Sequence, residues 1–155
     1  MLDPSHAPTP FTADEIRRGS PIGKTIALRV EPEREAAHTR INRFVSCDEK
    51  GATIERRRVP NDGEAHDPGE TRQATWLDLQ AHASFPAEQT TIEPEALETP
   101  MGTLACLRYT VREGTTVHTF WFANELPGMP VKSTTVRQGR VISTVTMVRN
   151  SAAKA

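Results

Sequence analysis

A chain of 155 residues, 36% of them hydrophobic, is the size of a single domain and long enough to bury its own core. Its formal charge of −1 provides no overall field that would gather nucleic acid or an anionic membrane. No apolar run approaches the ~18 residues that span a bilayer, and the first residues lack the basic-then-apolar pattern of a secretory leader.

As the sequence stands, a cytoplasmic location is expected, and a periplasmic one only if a leader has been removed. Cys47 and Cys106 are then expected to be reduced, buried thiols. The charge is uneven: residues 1–100 carry 12 basic and 18 acidic side chains, and residues 101–155 carry 7 basic and 2 acidic. The positive C-terminal third is enough to orient a partner but thin for binding a phosphate backbone.

The opening MLDPSHAPTP and the closing SAAKA are poor in groups to bury and read as flexible tails, residues 1–10 and 151–155, on one domain. Thr12-Ala13-Asp14-Glu15 has the form of a capping box, with Phe11 and Ile16 spaced as a hydrophobic staple. Gly19 and Pro21 supply the stop of a helix of about two turns. From residue 24 the apolar period becomes two, and Ile26, Leu28 and Val30 share one face of a strand.

Strands are expected at about 37–47 and 52–59, joined through Asp48-Glu49-Lys50-Gly51 with Gly51 at positive φ. With Cys47 opposite Ala52, Val45 would meet Ile54 and Ile41 would meet Arg58. Residues 60–71 read as a polar loop. A second short helix is expected from Thr75, capped with Asp78 and covered by Trp76, Leu77 and Leu79, and ending before Pro86. Further strands are expected at about 89–98, 103–112, 116–123, 130–138 and 141–149, separated by Gly- and Pro-bearing turns.

The fold class is therefore mainly β: a curved antiparallel sheet of seven or eight strands with two short helices packed against it. The hairpin 103–123 is apolar on both faces. Ala105, Leu107, Tyr109, Val111, Phe120 and Phe122 share one, while Leu104, Cys106, Trp121 and Ala123 share the other, with Arg108 placed to stack on Trp121. A one-layer sheet would be polar on its second face, so something must cover each side, as a solid core or as a lined cavity.

Glu98-Thr99-Pro100-x-Gly102-x-x-x-Cys106-x-x-Tyr109, followed by Phe120-Trp121-Phe122-Ala123-x-x-Leu126-Pro127-Gly128-x-Pro130-Val131, resembles uncharacterised bacterial β proteins related to the LolA/LolB-like superfamily of lipoprotein carriers. The resemblance covers residues of about 98–146, a third of the chain. It implies a half-barrel whose concave side is filled by helices, leaving an apolar groove for acyl chains. The carriers are exported, whereas this chain shows no export signal, and no residue here matches their functional arginine.

The chemistry of catalysis is thin. The five histidines have no metal-ligand spacing. A Cys106–His118 nucleophile pair requires one face, and a two-residue turn puts them on opposite faces. Arg56 and Arg58 point to one face and Arg57 to the other; with Arg40 and Arg43 they suggest an anion-attracting surface, or a solvated sheet face salted with acids. Glu93 and Glu95 share a strand face without a recognisable cleft.

No cofactor or metal is expected. The leading expectation is a non-catalytic binding or carrier-like protein for an apolar small molecule or lipid, with a groove drawn from Leu104, Arg108, Tyr109, Phe120, Trp121 and Phe122. The alternative is a protein–protein adaptor that docks a partner on an exposed sheet face. An enzyme comes third.

Overall fold

A computed structural model of the chain describes residues 3–60 and 69–151. Nine strands form one antiparallel sheet: β1 (Thr25–Pro32), β2 (His38–Cys47), β3 (Gly51–Pro60), β4 (Glu70–Thr75), β5 (Thr90–Thr99), β6 (Gly102–Glu113), β7 (Thr116–Ala123), β8 (Lys132–Arg137) and β9 (Arg140–Ser151). Their spatial order is β4-β3-β2-β1-β9-β8-β7-β6-β5. Two meanders, β1–β4 and β5–β9, are thus welded where β1 pairs with β9. The sheet rolls far enough for β5 to approach β9, although three strands separate them in the order, but it does not close.

This order explains the helices. The chain leaves β4 at one edge and must reach β5 at the other, so residues 76–89 are carried across the sheet. Helix α2 (Trp76–Ala81) packs beside β3 and β4, and Phe85 then stacks on Phe120 of β7 at 5.2 Å. Helix α1 (Ala13–Arg18) lies against α2. Gln80 joins them, accepting from the Ala13 amide at 2.9 Å and donating to Thr9 Oγ1 at 2.9 Å.

Both predicted capping boxes are present. Thr12 Oγ1 accepts the Glu15 amide while Glu15 accepts the Thr12 amide, and Thr75 and Asp78 do the same for α2. Each helix is too short to persist alone, and the caps settle its orphan amides while Ile16 and Trp76 anchor it in the core. Leu77, expected to cover the core, is 42% exposed: it follows Trp76 on the turn and points away.

Several expectations are corrected. The sheet has nine strands rather than seven or eight, because residues 70–75, read as loop and cap, form edge strand β4. The rest of the 60–71 loop lies outside the described residues from 61 to 68. Gly19 does end α1, as expected, at φ −86°; a Cβ there would meet Pro127 at 3.2 Å. Gly51 likewise has no positive φ: a Cβ there would lie 2.2 Å from the Ala74 carbonyl oxygen, so glycine is what lets β3 and β4 pair.

Cys47 does face Ala52, but a bulge between Phe44 and Ser46 shifts the pairing beyond it. Phe44, not Val45, meets Ile54, and Ile41 meets Arg57 rather than Arg58. The bulge turns Phe44 inward to stack on Trp76 at 6.5 Å and leaves Val45 in solvent.

The opening segment, read as a frayed tail, is held against the domain from His6 onward. His6 bridges to Pro86, the Ala7 amide donates to Phe85 O at 2.8 Å, and Tyr109 Oη donates to Pro8 O at 2.7 Å. Tyr109, Phe122 and Phe11 form an edge-on aromatic row beneath it, with centroids 5.2 and 6.5 Å apart. Cys106 is buried as expected; Cys47 is only half-buried, its thiol donating to Ser20 O at 3.4 Å. Both thiols are free, and burial pushes both up from the ordinary thiol range, helped by Asp48 at Cys47 and Glu95 at Cys106.

Candidate functional site

The helices do not fill the space they cover. Between them and the sheet lies a cavity of about 320 Å³, within the range of small-molecule sites. The pleat decides what it sees. Alternate residues of β1 and β2 (Ile26, Arg40, Asn42, Phe44) project into it, joined by Ile54 and Arg56 of β3 and by Arg72 and Ala74 of β4. Phe120 and Phe122 of β7 supply the far wall. Ile16, Leu79, Ala83 and Phe85 form the roof, and Met129 and Pro130 one end.

The lining is divided. Toward β7 and the helices it is aromatic and aliphatic; toward β3 and β4 it carries Arg40, Arg56 and Arg72 against, among the described residues, the one carboxylate of Glu70, which lies 3.8 Å from Arg56. Burial, then the neighbouring Arg56 charge, pulls the Arg40 guanidinium below its ordinary range. Along β2, His38 Nδ1, Arg40 Nε and Asn42 Oδ1 are buried without hydrogen-bond partners. Three orphaned polar atoms on alternate residues of one strand are unusual for a solid core, where buried polar groups are paired.

The residues singled out from sequence separate between two faces. Phe120 and Phe122 line the cavity. Tyr109 shares their face but is 1% exposed, sealed under the Pro8 segment. Leu104, Arg108 and Trp121 lie on the other side of the pleat.

There, Arg108 does not stack on Trp121. It is clamped by Glu93, opposite it on β5 at 2.9 Å, and by Glu95, diagonal to it on the same strand. Trp121 Nε1 donates to Glu95 at 2.9 Å, and the cation over its ring is Lys132, 5.6 Å from the centroid. The Glu93–Glu95 pair is thus engaged in an ion-pair network. His118 faces the Val111 side, opposite Cys106, and contacts Thr135 Oγ1 at 3.2 Å. Of the suggested arginine surface, Arg40 and Arg56 reach the cavity, while Arg43 sits across from Glu55 on the other face.

Lys24 was not singled out. It lies just before β1, 3% exposed, with Nζ donating to Gly19 O at 2.8 Å and Pro127 O at 3.4 Å and lying 5.8 Å from the Phe44 ring. Burial pulls it down to about 8. Among the described residues no group of three His, Cys, Asp or Glu side chains is placed to hold a metal, and no helix is long and apolar enough to cross a membrane.

Neither a protein-family model nor a curated protein matches the chain. Among solved structures, it is similar to a Bacteroides fragilis protein described as a candidate exported protein with a YMCC-like fold. The TM-score is 0.53 at 8% identity, over 86% of this chain and 97% of the other. At that identity the likeness concerns the fold alone.

Proposed function

We propose that this chain is a non-catalytic binding or carrier-like protein that holds a lipid-like ligand between its sheet and its helices. The observation that carries this reading is the cavity itself: about 320 Å³ of unfilled space walled by Phe44, Ile54, Phe120, Phe122, Leu79 and Met129. A cavity of that size between sheet and helices forgoes close packing that a domain would otherwise use for stability, which is reasonable where a ligand's chain packs against its apolar side. The rolled, unclosed sheet with helices across one side supports the half-barrel arrangement implied by the resemblance to LolA/LolB-like carriers. In this reading Phe120 and Phe122 are groove residues, while Leu104, Arg108 and Trp121 belong to an outer face whose aromatic ring is already occupied by Glu95 and Lys132.

Native mass spectrometry of protein purified without detergent, before and after organic extraction, tests the reading. It should reveal a bound amphiphile or uptake of an added one. Trp76 is the useful reporter, because it stacks on the groove residue Phe44. Within a homologous series of acyl ligands, each added methylene should tighten binding about fourfold, the equivalent of ~0.8 kcal/mol. If no lipid is found and no chain length alters Trp76 emission or the melting temperature, the adaptor reading replaces this one.

A further inference from the structure

We propose that Lys24 and Ser20 form a seat for the carboxylate head of a single-chain amphiphile, an assignment that rests on the carrier reading of the same cavity. Lys24 is a buried cation whose oxygen partners are two backbone carbonyls, Gly19 O and Pro127 O. Carbonyl dipoles satisfy N–H groups, but they do not neutralise a charge. No carboxylate among the described residues pairs with it. An isolated buried ammonium is expensive to maintain, and here it stands in the wall of an open cavity.

Ser20 provides the second, independent observation. It is 1% exposed, it lines the same cavity, and its Oγ has no hydrogen-bond partner. Its own carbonyl is occupied by the Cys47 thiol, so the hydroxyl alone is left over. An ammonium and an unpaired hydroxyl are the two donors that the two oxygens of a carboxylate require.

The rest of the wall points to the same sign of ligand. Among the described residues, Arg40, Arg56 and Arg72 line the cavity against the one acid Glu70, so its described wall favours an anionic head over a cationic one. A purely structural role for Lys24, tying the end of α1 to the 127–130 bend, explains its two carbonyl contacts. It does not explain an uncompensated charge and an unpaired buried hydroxyl in the wall of one cavity.

The test is isothermal titration calorimetry with decanoate and methyl decanoate near neutral pH, on the wild type and on Ser20→Ala, Lys24→Met and Arg72→Gln. The wild type should prefer the acid by about tenfold or more, the scale of a charge-assisted hydrogen bond. Lys24→Met should remove most of the preference, Ser20→Ala should reduce it several-fold, and Arg72→Gln should reduce it less than Ser20→Ala does. Ser20→Ala removes one oxygen and leaves the charge, so it decides the matter even if Lys24→Met fails to fold. Equal binding of acid and ester by the wild type overturns the seat and leaves the carrier reading standing. Loss of preference in Arg72→Gln but not in Ser20→Ala overturns it too, placing the head at the arginine wall. Failure of both ligands to bind removes the carrier reading and the seat with it.

Discussion

Tyr109 Oη reaches the carbonyl oxygen of Pro8 at 2.7 Å, across 101 positions of sequence, and so fastens the opening segment of the chain to β6. Burial pushes the phenol up to about 12, so it remains a donor at any ordinary pH. Tyr109→Phe retains the ring and its contacts with Phe122 and Phe85 but releases the segment. Because Pro8 is exposed and its carbonyl can turn to water, the loss should be modest, about 0.5–1.5 kcal/mol. Hydrogen exchange should show it locally, with the Ala7 amide losing more protection than amides of β1. Uniform loss across the sheet, or none at Ala7, would contradict the strap.

Lys24 makes stability depend on pH in an uncommon direction. Its folded pKa, about 8, is below that of an unfolded lysine near 10.4. Between those values the unfolded chain binds more protons than the folded one, so stability rises with pH through the window. Below pH 8 the full penalty applies, of order 3 kcal/mol from the shift. Cys47, Cys106 and Tyr109 shift upward and act in the opposite sense above their unfolded values. The comparison with Lys24→Met cancels those terms: wild type should gain on the variant as pH rises from 8 toward 10.4 in urea titrations. A constant difference would show that the lysine is solvated or paired.

Gly51→Ala tests the close approach of β3 to β4. The added methyl must displace the Ala74 carbonyl, which lies 2.2 Å from where it would stand. Overpacking of that kind costs about 1–3 kcal/mol, and the edge strand should lose exchange protection first. An alanine variant with wild-type stability would mean that β4 is not held at this distance.

The cap of α2 should matter to the cavity as well as to the helix. Thr75→Ala removes the acceptor for the Asp78 amide and should cost about 0.5–2 kcal/mol. Trp76, the first residue of α2, donates from its indole to Asp48 O at 2.8 Å, so its emission should change with the cap. The equivalent Thr12→Ala should lower the melting temperature and leave Trp76 emission unaltered. Identical emission in both variants would separate the cap from the roof of the groove.

What could be read in the sequence was whatever local chemistry controls. Both capping boxes, the β6–β7 turn and the division of the 103–123 hairpin into two faces depend on residues within a few positions of one another. Strand β4 was invisible because Glu70-Thr71-Arg72-Gln73-Ala74-Thr75 is an exposed edge with no alternation of apolar groups. The bulge at Val45 was invisible because Phe44 and Val45 are both apolar, and only Trp76, far along the chain, decides which turns inward. Lys24 left no signal at all: its burial is produced by the 127–130 bend and the end of α1 closing over it. A single lysine before a strand is ordinarily a solvated one.

The most direct test of the groove is a methyl-resolved NMR titration with decanoate. The methyls of Ile26, Ile54, Leu79 and Met129 should shift together and saturate at one equivalent, because all four line the cavity. Those of Val141 and Val148, exposed on β9, should stay where they are. Shifts confined to Leu104 and the Trp121 indole, or no saturable change at any methyl, would contradict a ligand held between sheet and helices.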